Sequence, residues 1–185
     1  MRQPKRLGLE QLYWQGVKAL AVRARSIGEL RRLLARRAEK KEDVAAVVSR
    51  LKERGYLNDN RFAEYFAAAR IENQRLGRVR VLRDLRARLV APEVAERAAK
   101  KAYAGIREED LLRQRLERDL RRRGPPKTPQ KTAALYRSLR RAGFSHTAIA
   151  AELRRLRADA DLLDALAGET SEGEAGDESA PEPAF

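Results

Sequence analysis

The feature that most constrains this chain is a recurring register of paired apolar residues. Leu30 and Leu34, Val81 and Leu85, and Leu135 and Leu139 each stand four residues apart, and the later members fall 51 and then 54 residues from one another. Val44, Val94 and Ile149 follow Leu34, Leu85 and Leu139 by ten, nine and ten residues. Pairs at i and i+4 mark one face of a helix, and a spacing near 50 marks a repeated supersecondary unit. The chain is therefore expected to be all-α, with three tandem three-helix repeats over 8–57, 58–106 and 107–158 forming an elongated, curved stack.

The stretch Leu51 to Phe66 is the seam between the first two units. Val44, Val47, Val48 and Leu51 recur at helical spacing, and Gly55 stands where a helix end favours a residue able to take positive φ. Asn58, Asp59 and Asn60 can then cap a new first turn, and Phe62, Ala63, Phe66 and Ala67 resume the apolar face. Tyr56 and Leu57 occupy a connection too short and too apolar to be a free linker. They are read as plugging the corner between packed helices, so Gly55, Tyr56, Leu57, Asp59, Phe62, Ala63 and Phe66 are assigned to the junction. Core packing is preferred over base stacking for Tyr56, Phe62 and Phe66.

Punctuation elsewhere agrees with short helices. Leu9, Leu12, Tyr13, Gly16, Val17, Leu20 and Ala21 trace a first helical face with Trp14 near its edge. Ser26 followed by Glu29 has capping-box spacing, and its helix is expected to reach about Ala38. Pro92 and Pro129 suit first helical turns; Gly105, Gly124 and Gly143 suit helix ends. Ser145 can cap a last helix bearing Ile149, Leu153 and Leu156. Tyr136 lies beside the Leu135 and Leu139 stripe, with an exposed contact as probable as a buried one, and His146 reads as a surface residue.

Charge limits the function. All Lys and Arg precede residue 158, and nine of the 27 acids lie beyond it, so a formal charge of +14 becomes +23 on the body. Such a body should seek a polyanion. The segment 159–185 is acidic, small and bears Pro and Gly; it is expected to be a mostly disordered tail, a solubilising end in preference to an internal competitor for the basic surface. Zero Cys and one His nearly exclude metal and acid/base constellations, so neither catalysis nor a cofactor is expected. No apolar run is long enough for a spanning helix, and the N-terminus holds no signal-peptide core, which leads to a cytoplasmic protein without membrane contact.

The arginines expected on outward helix faces are Arg31, Arg32, Arg36 and Arg37 in the first unit and Arg78, Arg80, Arg83, Arg86 and Arg88 in the second. Arg121, Arg122, Arg123, Arg137, Arg140 and Arg141 complete the set in the third. Arg presents paired donors to phosphate and carboxylate alike, so the set is read as a surface for DNA or an acidic protein.

The run Gly55-Tyr56-Leu57-Asn58-Asp59-Asn60-Arg61-Phe62-Ala63, then Arg75-Leu76-Gly77 with Arg80, then Leu135 through Phe144, resembles the RecX family. Asn58, Asp84 and Val90 depart from its usual Asp, Glu and Gly. The resemblance implies a non-enzymatic, monomeric regulator lying in the groove of the RecA filament on single- or double-stranded DNA. It further implies modulation, most readily inhibition, of RecA ATP hydrolysis, filament growth and strand exchange in recombination, repair and the SOS response. The alternative is a sequence-tolerant DNA-binding or helix-turn-helix transcriptional regulator acting without RecA.

Overall fold

A computed structural model describes residues 6–156 and 161–166. Among them the named elements are helices: α1 Leu9–Val22, α2 Ile27–Ala35, α3 Lys41–Glu53, α4 Asp59–Gln74, α5 Arg78–Ala87, α6 Pro92–Ala102, α7 Glu108–Arg123, α8 Pro129–Arg141 and α9 His146–Arg155. Residues 161–166 are also helical, and Leu163 and Leu166 within them are buried. The rest of the expected tail lies outside the described residues. A parallel bridge, outside any strand, joins Leu7 to Ala38. Among the described residues no helix is long and apolar enough to cross a membrane.

The caps explain why these helices start where they do. Ser26 Oγ accepts from the Glu29 N–H at 3.0 Å while the Glu29 carboxylate accepts from the Ser26 N–H, completing the capping box. Thr128 accepts from Lys131 N–H and Ser145 from Ala148 N–H, and Pro92 and Pro129 fill first turns. Helix α2 ends at Ala35, three residues before the expected limit, because Ala38 leaves the helix to pair with Leu7.

The ends of α3, α5 and α8 share one closure. Gly55, Leu89 and Gly143 take φ of 74°, 58° and 92°. In each case the next N–H, of Tyr56, Val90 or Phe144, reaches back to the carbonyl of Leu51, Leu85 or Leu139. This is the Schellman arrangement. In α5 the left-handed position is filled by Leu89, immediately before Val90.

The chain divides into two compact units, one of Met1–Asn73 with Val81–Gly105, the other of Gln74–Arg80 with Ile106–Phe185. In the first, α1, α2 and α3 pack together around Leu12, Tyr13, Leu30, Leu34, Val47, Val48 and Leu51. Ala19, rather than Ala21, completes the buried face of α1, and Gly16 lets α1 approach the Leu51 side chain. The N-terminus of α2 meets the end of α5: Ser26 Oγ donates to the Arg88 carbonyl, and a Cβ on Gly28 would stand 2.5 Å from Leu89 Cβ.

In the second unit, α9 packs on α7 and α8. Leu111, Leu112, Leu116, Leu139, Phe144, Ile149 and Leu153 are buried, whereas Leu156 is partly exposed. Tyr136 is fully buried, and its hydroxyl lies 2.9 Å from His146 Nδ1. Sequence spacing left Tyr136 open and placed His146 on the surface; the hydrogen bond between them gives both a half-hidden or hidden place. The turn 74–77 belongs to this unit: Arg115 and Arg118 donate to the Gln74 carbonyl, and the Gly77 N–H donates to the Ala142 carbonyl at 2.8 Å.

Candidate nucleic-acid and protein interface

The junction residues divide into hidden and exposed sets. Leu57 and Ala63 are buried, while Phe62 and Phe66 are half-buried and stack at 5.9 Å between centroids. Asp59 Oδ1 accepts the Ile27 N–H at 2.8 Å, tying the start of α4 to the first turn of α2. Burial pushes the Asp59 carboxyl above its ordinary pKa, although the Ile27 N–H, Lys52 and Arg31 act the other way. Gly55 has open space around it and needs only its backbone freedom. Tyr56 corrects the sequence expectation, being 58% exposed. Its backbone closes the α3 end, and that closure turns the side chain outward while Leu57 enters the core.

The arginines also fall into two sets. Arg31, Arg32, Arg36 and Arg37 are exposed on and just after α2 and form no ion pair among the described residues. Arg78, Arg83 and Arg86 are exposed on α5, as are Arg121, Arg122 and Arg123 in the last turn of α7, and Arg137 and Arg141 on α8. Arg80, Arg88 and Arg140 are half-buried and have internal work. Arg80 Nη1 donates to the Arg141 carbonyl at 3.1 Å, and Arg140 Nη1 to the Phe144 carbonyl at 2.9 Å. Arg88 Nη1 donates to Glu29 at 3.0 Å and its guanidinium lies 5.6 Å from the Phe66 ring centroid. Each of these three therefore spends at least one guanidinium N–H on an oxygen of its own unit while remaining partly exposed.

Two arginines absent from the sequence expectation join the basic surface. Arg23 and Arg25, from the α1–α2 connection, line a groove of about 420 Å³ together with Glu29, Arg32, Arg36 and Leu89. The cluster Arg23-Ala24-Arg25 immediately before the capping Ser26 was the available signal. Burial raises the Glu29 pKa, but hydrogen bonds and charge from Arg23 and Arg88 outweigh it and hold the carboxyl below its ordinary value. Glu29 thus stays ionised and pins two of the arginines. Arg32 and Arg36 line the same groove and are exposed.

A second groove, of about 280 Å³, is lined by Arg25, Tyr56, Arg61, Phe62 and Tyr65 among others. Among the described residues no cluster of His, Cys, Asp and Glu is arranged to hold a metal ion.

Capped short helices carrying guanidinium groups on their exposed faces define an all-α protein that offers basic surfaces for contact. Its sequence places it more narrowly. Residues 58–98 match the model of the second three-helix domain of RecX. Over 149 residues the chain is 33% identical to "Regulatory protein RecX" of Amycolatopsis mediterranei (strain U-32), spanning 78% of this chain and 85% of that protein. It is 34% identical over 106 residues to "Regulatory protein RecX" of Mycolicibacterium vanbaalenii, covering 56% and 58% of the two chains. The chain belongs to the RecX family of regulatory proteins. The fold agrees with the crystal structure of RecX from Lactobacillus salivarius, at a TM-score of 0.63 and 16% identity over 80% of this chain and 96% of that one.

Proposed function

We propose that this chain regulates the RecA recombinase by binding the RecA–DNA filament as a monomer in the cytoplasm. Its basic faces meet DNA phosphates and acidic RecA side chains in the filament groove, and occupancy there slows ATP hydrolysis, filament growth and strand exchange. Recombination, repair and the SOS response are the processes affected. The observation that carries this reading is the exposed row Arg31, Arg32, Arg36 and Arg37 in a member of the RecX family, of which only Arg31 acts on a carboxylate, that of Asp59, among the described residues.

We read the helices as three repeats, 8–57, 58–106 and 107–158. Two equivalent junctions favour that division: the start of α2 against the end of α5 at Gly28 and Leu89, and the start of α5 against the end of α8 at Gly77 and Gly143. Repeats of this kind spread contacts over several helices instead of concentrating them in one cavity. Binding is then electrostatic, tolerant of base sequence and weakened by salt.

The test is RecA ATP hydrolysis on single-stranded DNA with and without this protein. The rate is expected to fall as the protein is added and to recover when Arg31, Arg32 and Arg36 are together replaced by Glu. A rate unaltered at stoichiometric excess overturns the reading, and sequence-selective duplex binding without RecA would favour a transcriptional regulator instead.

A further inference from the structure

Tyr56 and Tyr65 expose 58% and 71% of their surface and line the same groove beside α4. Phe62, stacked on Phe66, lines it too, and Arg25 and Arg61 supply its charge with no carboxylate among the lining residues. Tyr65 also walls a neighbouring hollow of about 410 Å³ with Arg61, Glu64, Ala68, Ala98 and Lys101, where Lys101 Nζ lies 2.8 Å from Glu64 Oε2. Tyr65 and Arg61, one helical turn apart, therefore form a ridge with a hollow on either side. Leaving two aromatic side chains in water costs hydrophobic stabilisation that burial would have supplied, and the junction does not need Tyr56 as a plug because Leu57 already fills that place.

We propose that this ridge stacks unpaired bases of a single-stranded nucleic acid, with Tyr56 and Tyr65 as the stacking faces and Arg25 and Arg61 held to the adjoining phosphates. The inference rests on the reading that the chain meets DNA and adds a preference for single strands to it. Planar rings next to guanidinium groups complement a polymer in which planar bases alternate with anionic phosphates. A duplex cannot use the rings, since its bases already stack on one another and present only edges. Asn58 also lines the groove, but its Oδ1 is taken by the Arg61 N–H at 3.0 Å, and stacking on the rings is itself tolerant of sequence.

The test compares anisotropy of labelled oligothymidylate with that of an abasic strand of equal length, which keeps the phosphates and lacks the bases. The wild-type protein is expected to bind oligothymidylate more tightly. Tyr65→Ala and Tyr56→Ala should each reduce that preference by about 5- to 150-fold, the range that loss of one base–aromatic stack implies. Binding to the abasic strand and to duplex should stay unchanged, and Tyr65→Phe should behave as wild type.

Equal wild-type affinity for the two strands overturns the stacking site and leaves the phosphate reading standing; it needs no variant and so does not depend on variant folding. Failure to bind either strand removes both readings. Loss of preference in Tyr65→Phe as well as Tyr65→Ala would trace the effect to the hydroxyl and overturn stacking. If the alanine variants keep the preference but lose affinity for RecA in the absence of DNA, the ridge belongs to a protein partner and the proposal is wrong.

Discussion

Gly77 and Gly143 meet backbone to backbone: a Cβ added to Gly77 would overlap the Gly143 carbonyl, and the Gly77 N–H donates to the Ala142 carbonyl beside it. Gly143 in turn takes φ of 92° and faces the Arg80 backbone N. Neither glycine can gain a side chain without moving main chain. Gly77→Ala is expected to cost about 2–3 kcal/mol, as overpacking against an unyielding backbone does. Gly55→Ala, which meets open space, should cost only about 1 kcal/mol for its left-handed conformation. Urea denaturation of the pair decides the matter; equal losses would contradict the backbone contact.

Leu89 occupies the left-handed position that Gly55 and Gly143 fill at the other two shared closures. A branched side chain there is strained, and this one is 43% exposed, so little burial offsets the strain. Leu89→Gly should change stability by no more than about 1 kcal/mol, with the sign towards stabilisation. A large loss of thermal stability would show that the Leu89 contact with α2 dominates.

Tyr56 and Tyr136 should respond in opposite ways to truncation. Tyr136 is fully buried and bonded to His146, so Tyr136→Ala is expected to cost about 3–5 kcal/mol and Tyr136→Phe about 1 kcal/mol. Tyr56→Ala should lie within about 0.5 kcal/mol of wild type, as surface changes usually do. Melting curves that rank the two alanine variants the other way would refute this assignment.

Acid stability should depend on Glu29. Its folded pKa lies below the unfolded value because Arg23 and Arg88 outweigh burial, so its contribution is complete above the unfolded pKa and disappears as pH falls through the folded one. Glu29→Gln can keep the capping box but removes the charge, and is expected to lower stability at neutral pH and flatten its decline below about pH 4.3. Asp59 has the reverse sign, since burial raises its folded pKa and its ionisation weakens the fold as pH rises through that value. Asp59→Asn should therefore remove a small loss of stability on the alkaline side of the same range. Urea midpoints measured across pH for both variants check the two signs; an unaltered profile in Glu29→Gln would dispose of the first.

Charge reversal separates surface arginines from anchoring ones. Arg31, Arg32 and Arg36 replaced by Glu should leave the melting temperature near wild type while lowering DNA affinity and the slope of log K against log salt. Arg88→Glu instead places a carboxylate beside Glu29 and over Phe66, and should destabilise the first unit. Thermal melts alongside salt titrations distinguish them; a common loss of stability in both would show that the α2 arginines are structural as well.

Much of the fold was legible because its signals are local. Asp59 to Gln74 reads as one helix from its cap and its apolar spacing, and Ser26 with Glu29 specifies a capping box by separation alone. Arg80, Arg88 and Arg140 were not legible as anchors. Their partners are the Arg141 carbonyl, Glu29 and the Phe144 carbonyl, two of them some 60 residues distant, and helical periodicity says nothing about which distant oxygen a long side chain will reach. Tyr56 misled for a related reason, since hydrophobicity placed it and Leu57 together in the corner although only one could enter.

By itself, then, the sequence determined the helical class, the places where helices begin and end, and the excess of positive charge, because capping, periodicity and composition act through near neighbours along the chain. Tertiary structure decided which apolar residue fills each gap, which arginines are spent on internal oxygens and which are left facing solvent. Those outcomes depend on space and hydrogen-bond partners that exist only once helices from remote parts of the chain have packed together.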